Sequence, residues 1–203
     1  MRSFLCTASL ALIACGPPGG SAVSVFTLKQ GGDGPDLVKH INRSPSARWL
    51  YQVTVSGFSS ASENYFEGTV QIPDGPVVDR LVTETQVVYQ EQSDSGQYYW
   101  GSSDGDLLQH PLVTLSYPLK VNRAWSTGTA AFPEWYQYSV EAVEKVETPA
   151  GTFDAARVVQ FNSRANSTVT RWYVDDLGLV QRSAETGNGV STTLLLSYQL
   201  EAK

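Results

Sequence analysis

Cysteine is almost missing from this sequence: two among 203 residues, Cys6 and Cys15, both ahead of Gly16. Everything after Cys15 is therefore without a disulfide, a thiolate nucleophile or a cysteine metal ligand, and must rely on its core for stability. Histidine is as scarce. His40 and His110 stand far apart, with no H-x-x-x-H or H-E-x-x-H spacing to suggest a metal centre. Basic residues are outnumbered, 14 Lys and Arg against 20 Asp and Glu, for a net charge of -6. Such a balance argues against nucleic-acid partners and against electrostatic attachment to anionic lipid. Amphipathic helical periodicity is lacking too, and beyond the N-terminus there is no transmembrane candidate.

What is present begins with "MRSFLCTASLALIAC". Arg2 makes a short positive n-region, and Phe4 to Ala14 an apolar h-region of signal-peptide length, too short to span a bilayer of about 30 Å. Leu12-Ile13-Ala14-Cys15 resembles the lipobox of bacterial lipoproteins. The resemblance implies that the Cys15 thiol receives a diacylglycerol, that residues 1–14 are cut away, and that the new amino terminus is acylated. Removal of Arg2 moves the net charge from -6 to -7. Two or more acyl chains, at about 0.8 kcal/mol per buried CH₂, anchor stably. Gly16 is not the Asp associated with inner-membrane retention, so in a two-membrane host the expected location is the outer membrane.

Residues 16–36, "GPPGGSAVSVFTLKQGGDGPD", are rich in Gly and Pro and read as a flexible tether, with "VSVFTL" the one strand-like run inside it. "LVKHINRS" (37–44) reads as a helical turn or a loop. The expected division is a signal peptide over 1–14, a tether over 15–45 and one β domain over 46–203, long enough for a sizeable core. From Ser46 apolar and polar residues alternate with period two. "RWLYQVTVSGF" sets Trp49, Tyr51, Val53 and Val55 on one face; "NYFEGTVQI" sets Phe66, Val70 and Ile72. "VVDRLVTETQVVYQEQ" is one long strand or two. "IPDGP", "SDSG", "SSDGD", "PAG", "SRAN", "DDLG" and "ETGNG" are turn chemistry between strands. About ten strands without βαβ spacing predict an all-β antiparallel domain, a curved sheet or open β-barrel, with a β-sandwich as the alternative.

"VETPAGTFDAARVV" (146–159) followed by "RWYVDDLGLVQR" (171–182) resembles the closing hairpins of an uncharacterised family of secreted bacterial proteins and lipoproteins. "YPLKVNRAWSTG" (117–128) resembles the element that precedes them, with Asn122 where the family usually has Gly. The same pattern resembles, more distantly, curved-sheet lipoprotein carriers such as LolA and LolB, which shelter acyl chains. The resemblance implies a fold class and leaves activity open. Pro149, Gly151 and Gly178 read as turn residues, with Phe153 packed beneath the first turn.

No catalytic constellation emerges. His110 lies near Asp104 and Asp106, but no G-x-S-x-G elbow is present. "SDGD" is too short for a calcium loop. Asp175 and Asp176, being adjacent, would face opposite ways in a strand. The chain is expected to be noncatalytic, with no metal and no cofactor. Aromatics are the remaining signal. In "YYW" and "WYQY", neighbours cannot all enter one core, so Trp100, Trp135, Tyr136 and Tyr138 are the candidate ligand-facing residues. The C-terminal strand "VSTTLLLSYQL" predicts an inner face carrying Val190, Thr192, Leu194, Leu196, Tyr198 and Leu200, with Leu195 opposite and Val140 among their neighbours. The expected function is a lipid-anchored envelope protein that binds or carries a hydrophobic ligand or a partner segment. The alternative is a structural subunit of an envelope assembly.

Overall fold

Runs of β-branched and aromatic residues favour strands, and the Gly, Pro, Asn and Asp between them favour tight reversals. The computed structural model describes residues 24–103, 107–129, 131–186 and 189–201, and among these there is no helix. They form β1 (Ser24–Val38), β2 (Arg48–Val55), β3 (Phe58–Gln71), β4 (Val77–Val82), β5 (Val87–Ser93), β6 (Gly96–Ser102) and β7 (Leu112–Ser116). There follow β8 (Leu119–Thr129), β9 (Phe132–Thr148), β10 (Gly151–Asn162), β11 (Ser167–Val174), β12 (Gly178–Thr186) and β13 (Gly189–Gln199).

All 13 strands belong to one antiparallel sheet of order β1-β8-β9-β10-β11-β12-β13-β2-β3-β4-β5-β6-β7. Two up-and-down runs, β2 to β7 and β8 to β13, are joined by the β13–β2 ladder. The sheet rolls until its ends approach one another, with β7 beside β8 and β1. There Val113 N donates to Thr127 Oγ1 at 3.2 Å. Arg123 on β8 donates to Ser116 Oγ at 2.9 Å and to the Gly31 carbonyl at 3.1 Å, holding β7 and β1 with one guanidinium. No ladder joins β7 to β1 or β8 among the described residues, so the architecture is an open barrel.

The tether expected over residues 15–45 needs correction. Ser24–Val38 is a strand, paired with β8 from Ser24–Thr129 to Val38–Leu119. Gly and Pro hide it from a periodicity reading. The ladder absorbs them by register shifts between Leu28 and Gln30 and between Asp33 and Val38, which an edge strand tolerates. The expected signal peptide, Cys15 and residues 15–23 lie outside the described residues. "LVKHINRS" forms the end of β1 and an extended crossing rather than a helical turn.

That crossing closes one end of the barrel. Ile41 N donates to Gln92 Oε1 and the Ile41 carbonyl accepts from Gln92 Nε2, both at 3.1 Å. On the opposite wall Asn42 N donates to the Asp176 carbonyl at 2.8 Å, and Asp175 Oδ1 accepts from Lys39 N at 2.7 Å. Gly178 makes the close approach possible: its φ is +91°, and a Cβ there would lie 2.9 Å from Ile41 Cγ2. Asn122, standing where the resemblance leads one to expect Gly, takes φ 66° itself, a conformation Asn adopts at little cost.

The largest buried cluster centres on Trp125, fully inaccessible and stacked on Tyr138 at 4.9 Å and 7°, with Val140, Val158, Leu115 and Leu119. A second cluster gathers Trp49, Tyr51, Phe66, Leu177, Val180 and Leu195 near the closed end. The turns at 72–76 and 93–96 and the PAG hairpin fall between strands as their chemistry predicts. "VVDRLVTETQVVYQEQ" is two strands, β4 and β5.

Candidate functional site

The inner wall is not uniformly apolar. Between the two clusters lies a sector where β3, β6, β10, β12 and β13 turn polar side chains inward. Ser62, Asn64, Gln97, Gln160, Ser191 and Thr193 are all buried there. Two cavities of about 100 Å³ and about 90 Å³ adjoin in this region, sharing Leu81, Gln90, Gln97, Arg171 and Tyr173 as lining. The first is otherwise walled by Ile41, Trp49, Tyr51, Phe66 and Leu177 at the closed end. The second runs toward Thr83, Tyr99, Thr114, Tyr138 and Gln160. Each has room for several water molecules or for part of an apolar chain.

The strand registers explain how the wall is built. On β11 the inward positions are Val169, Arg171 and Tyr173, and the β10 ladder sets Arg171 across from the buried Val158. On β12 the inward positions are Val180, Arg182 and Ala184, each at most 1% exposed. The β11–β12 register places Arg171 directly across from Arg182. Arg171 Nη1 donates to Gln160 Oε1, its neighbour on β10. Burial and the nearby Arg171 push the Arg182 guanidinium down to about 10, against the pull of Tyr173, so it stays charged at neutral pH. Burial pushes the hydroxyl of Tyr138 up, Arg171 opposing, and that of Tyr173 up against both arginines. Tyr51 is likewise raised by burial, and its hydroxyl donates to the Leu179 carbonyl at 2.9 Å.

Of the residues the sequence singled out for a ligand, Tyr138 lines the second cavity. Trp100 lies on the other side of β6, packed with Ile72 and Val78, and its Nε1 donates to Glu91 Oε2 at 3.0 Å. Trp135 lies parallel to Tyr136 at 5.1 Å, covered by the Arg164 guanidinium at 4.8 Å, and its Nε1 donates to Asn162 Oδ1. Tyr136 is buried in the largest cluster. The second surface that "YYW" demands is thus a small satellite core.

The face assigned to β13 is inverted. Ser191, Thr193 and Leu195 are buried, while Val190 and Tyr198 are exposed, and Leu194 and Leu196 are half-buried. The β12 ladder sets Ser191 across from Ala184 and Thr193 across from Arg182, so the polar residues accompany the inward arginine. Val140 is buried as expected. Val70 is exposed, because a register shift between Phe66 and Thr69 turns it outward.

The scarce histidines serve separate places. His40 pairs with Asp176 through Nε2 and stands 4.0 Å from Asp175, at the closed end. His110 is in the β6–β7 connection; Asp104 and Asp106 lie outside the described residues. Among the described residues no group of three or more His, Cys, Asp or Glu is placed to hold a metal ion. Amides, hydroxyls, aromatic rings and one guanidinium line the cavities. That set suits holding a molecule by burial and hydrogen bonding. A signal for the arginines was present in the sequence: "VTRWY" and "VQRSA" each put an Arg in phase with apolar residues.

Comparison of the sequence with protein-family models and with curated proteins gives no match. Solved structures of similar shape exist at low identity. An exported protein of YmcC-like fold from Bacteroides fragilis is 12% identical with a TM-score of 0.45, over 80% of this chain and 99% of that one. A lipoprotein from Parabacteroides distasonis is 11% identical with a TM-score of 0.39, over 81% and 100%. A chain of the MucA/MucB complex of Pseudomonas aeruginosa is 13% identical with a TM-score of 0.38, over 79% and 53%, so the present chain spans about half of it.

Proposed function

We propose that this protein is a noncatalytic, lipid-anchored component of the bacterial cell envelope that binds or carries a hydrophobic molecule, or a hydrophobic partner segment, inside its open barrel. The carrying observation is the pair of adjoining cavities on the inner face, walled by Trp49, Phe66, Leu81 and Tyr138. A barrel whose only task is stability gains from filling such space, since unfilled volume forfeits packing. The lipobox-like "LIAC" supplies the anchor at Cys15, and Gly16 favours the outer membrane in a two-membrane host. Native mass spectrometry of protein purified from its own host tests the ligand: a copurifying apolar molecule, lost on denaturation, is the expected result. Cys15→Ser tests the anchor. The variant should lose the lipid mass and leave the membrane fraction, and unchanged retention with unchanged mass would refute anchoring.

A second reading, a structural subunit without a small ligand, is favoured by one rim of the barrel. Phe58, across from Val55 at the β2–β3 reversal, is 84% exposed, and Val190 on the adjoining β13 is 53% exposed. A stoichiometric protein partner in the same purification, with no small molecule, would support it.

A further inference from the structure

We propose that the ligand of the barrel is an amphiphile with an anionic head, that Arg171, which lines both cavities, is the seat for that head, and that Arg182, facing it across β11 and β12 and buried behind the cavity wall, adds its charge. This rests on the reading of the cavities as a binding site and names the chemistry they select.

The argument begins with a pairing that a protein without a ligand has reason to avoid. Like charges directly opposite on one face of an antiparallel ladder repel. These two do so on the inner wall, where Arg182 is 1% exposed and screening by water is weak. Three other arginines meet carboxylates, Arg43 with Asp79 at 2.8 Å, Arg80 with Glu67 at 2.9 Å, and Arg157 with Glu141 at 3.1 Å, although Arg43 and Arg157 also keep buried nitrogens without a partner. Among the described residues no ion pair engages Arg171 or Arg182, and no carboxylate lines either cavity. Gln160 accepts one hydrogen bond from Arg171. The Nε of Arg182 is buried without a partner, as is the Oγ of Ser191. Buried guanidinium donors left unpaired are expensive, and an oxyanion removes that cost by taking two or more charge-assisted bonds.

The apolar part of the ligand follows from the remaining lining. From Arg171, which borders both cavities, the first leads past the neutral amides of Asn64, Gln90 and Gln97 to Ile41, Trp49, Phe66, Leu81 and Leu177. Those side chains offer nothing to a second charge and much to a hydrocarbon tail. An anionic head at Arg171 with a single chain directed toward the closed end satisfies both halves of the site.

Isothermal titration of the whole chain with dodecanoate, dodecan-1-ol and acetate tests this. The expected result is one dodecanoate per chain, bound about ten-fold or more tighter than the alcohol, with no measurable binding of acetate. Arg171→Gln should bring dodecanoate down to the affinity of the alcohol while leaving the alcohol unchanged. Arg182→Met should do the same and also raise the melting temperature of the empty protein, because it removes an unmatched buried charge. Should Arg182→Met fail to fold, Arg171→Gln decides. Equal affinity for acid and alcohol in the unaltered protein overturns the anionic seat and leaves the hydrophobic-ligand reading standing. Acetate binding as tightly as dodecanoate replaces the amphiphile with a free anion and overturns the proposal. Binding of neither chain molecule overturns both readings.

Discussion

Two stretches of the same inner wall are built on opposite terms. Around Trp125 the strands β8, β9 and β10 present Tyr138, Val140 and Val158, closed to solvent and stacked. A few strands further round, β11, β12 and β13 present Arg171, half-buried and bonded to Gln160, beside the buried Arg182, Thr193 and Ser191, with Arg182 Nε and Ser191 Oγ lacking partners. The first stretch is an apolar core, in which each ring gains from burial and from its neighbours, with Trp125 Nε1 buried there without a partner. The second spends stability on desolvated charge. A single sheet thus holds both a scaffold and the proposed site, and the boundary between them is set by which strand places cations on the inward phase.

That contrast can be broken most forcefully in the scaffold. Trp125→Ala should cost about 3–5 kcal/mol in a urea melt, since the ring is fully buried and its stacking partner would face a void. A pair of neighbours on β13 sharpens the border. Leu195→Ala should cost about 2–5 kcal/mol, because Leu195 lies inside against Tyr51. Leu196→Ala, half-buried on the outer phase, should cost about 1 kcal/mol or less. A reversed order would restore the face that the alternation of "TTLLLSYQL" suggests. Gly178→Ala acts at the closed end, through a positive φ and a collision with Ile41, and should destabilise by about 1–3 kcal/mol. Exchange of the Ile41 amide with solvent deuterium should accelerate in that variant.

The gentlest probe is pH. Burial holds the hydroxyls of Tyr51, Tyr117, Tyr138 and Tyr173 above the ordinary tyrosine value. Their stabilisation is complete below about pH 10 and is lost as pH rises toward the folded values, because only the unfolded chain releases those protons. Arg182 has the opposite sign. Its folded value falls to about 10, below that of the unfolded chain, so its penalty is relieved above that pH. With Tyr99 raised by burial as well, five tyrosines outweigh the three arginines that burial lowers, Arg43, Arg123 and Arg182, and urea melts between about pH 8 and about 11 should show net loss. Tyr138→Phe should make the loss shallower and Arg182→Met steeper.

The scaffold was legible in the sequence for a physical reason. Tyr51, Val53 and Val55 alternate with Gln52 and Thr54 on β2, and Asp74, Gly151 and Gly178 mark reversals whose backbone needs them. The site was legible only in part, because its inner face breaks the rule that makes alternation informative. Ser191 and Thr193 look like a solvent face and lie inside, since they accompany Arg182 across the ladder. β1 was missed for a different reason: glycines at 31, 32 and 34 interrupt its period, while pairing with β8 restores it through shifted register. Trp100 and Trp135 were recognised as needing a second environment, but nothing local to them says that Val78 or Arg164 covers them.

The ladder between β13 and β2 has a consequence for the order in which this protein is assembled. β2 finds one of its two neighbours almost at once in β3, while its other edge waits for the last strand of the chain. β1 likewise waits for β8. Contacts so distant along the sequence are costly to close and slow to form, so the barrel is completed only when the C-terminus arrives. A truncation before Gly189 would leave β2 and β12 as open edges, ready to pair with another copy in place of the missing strand.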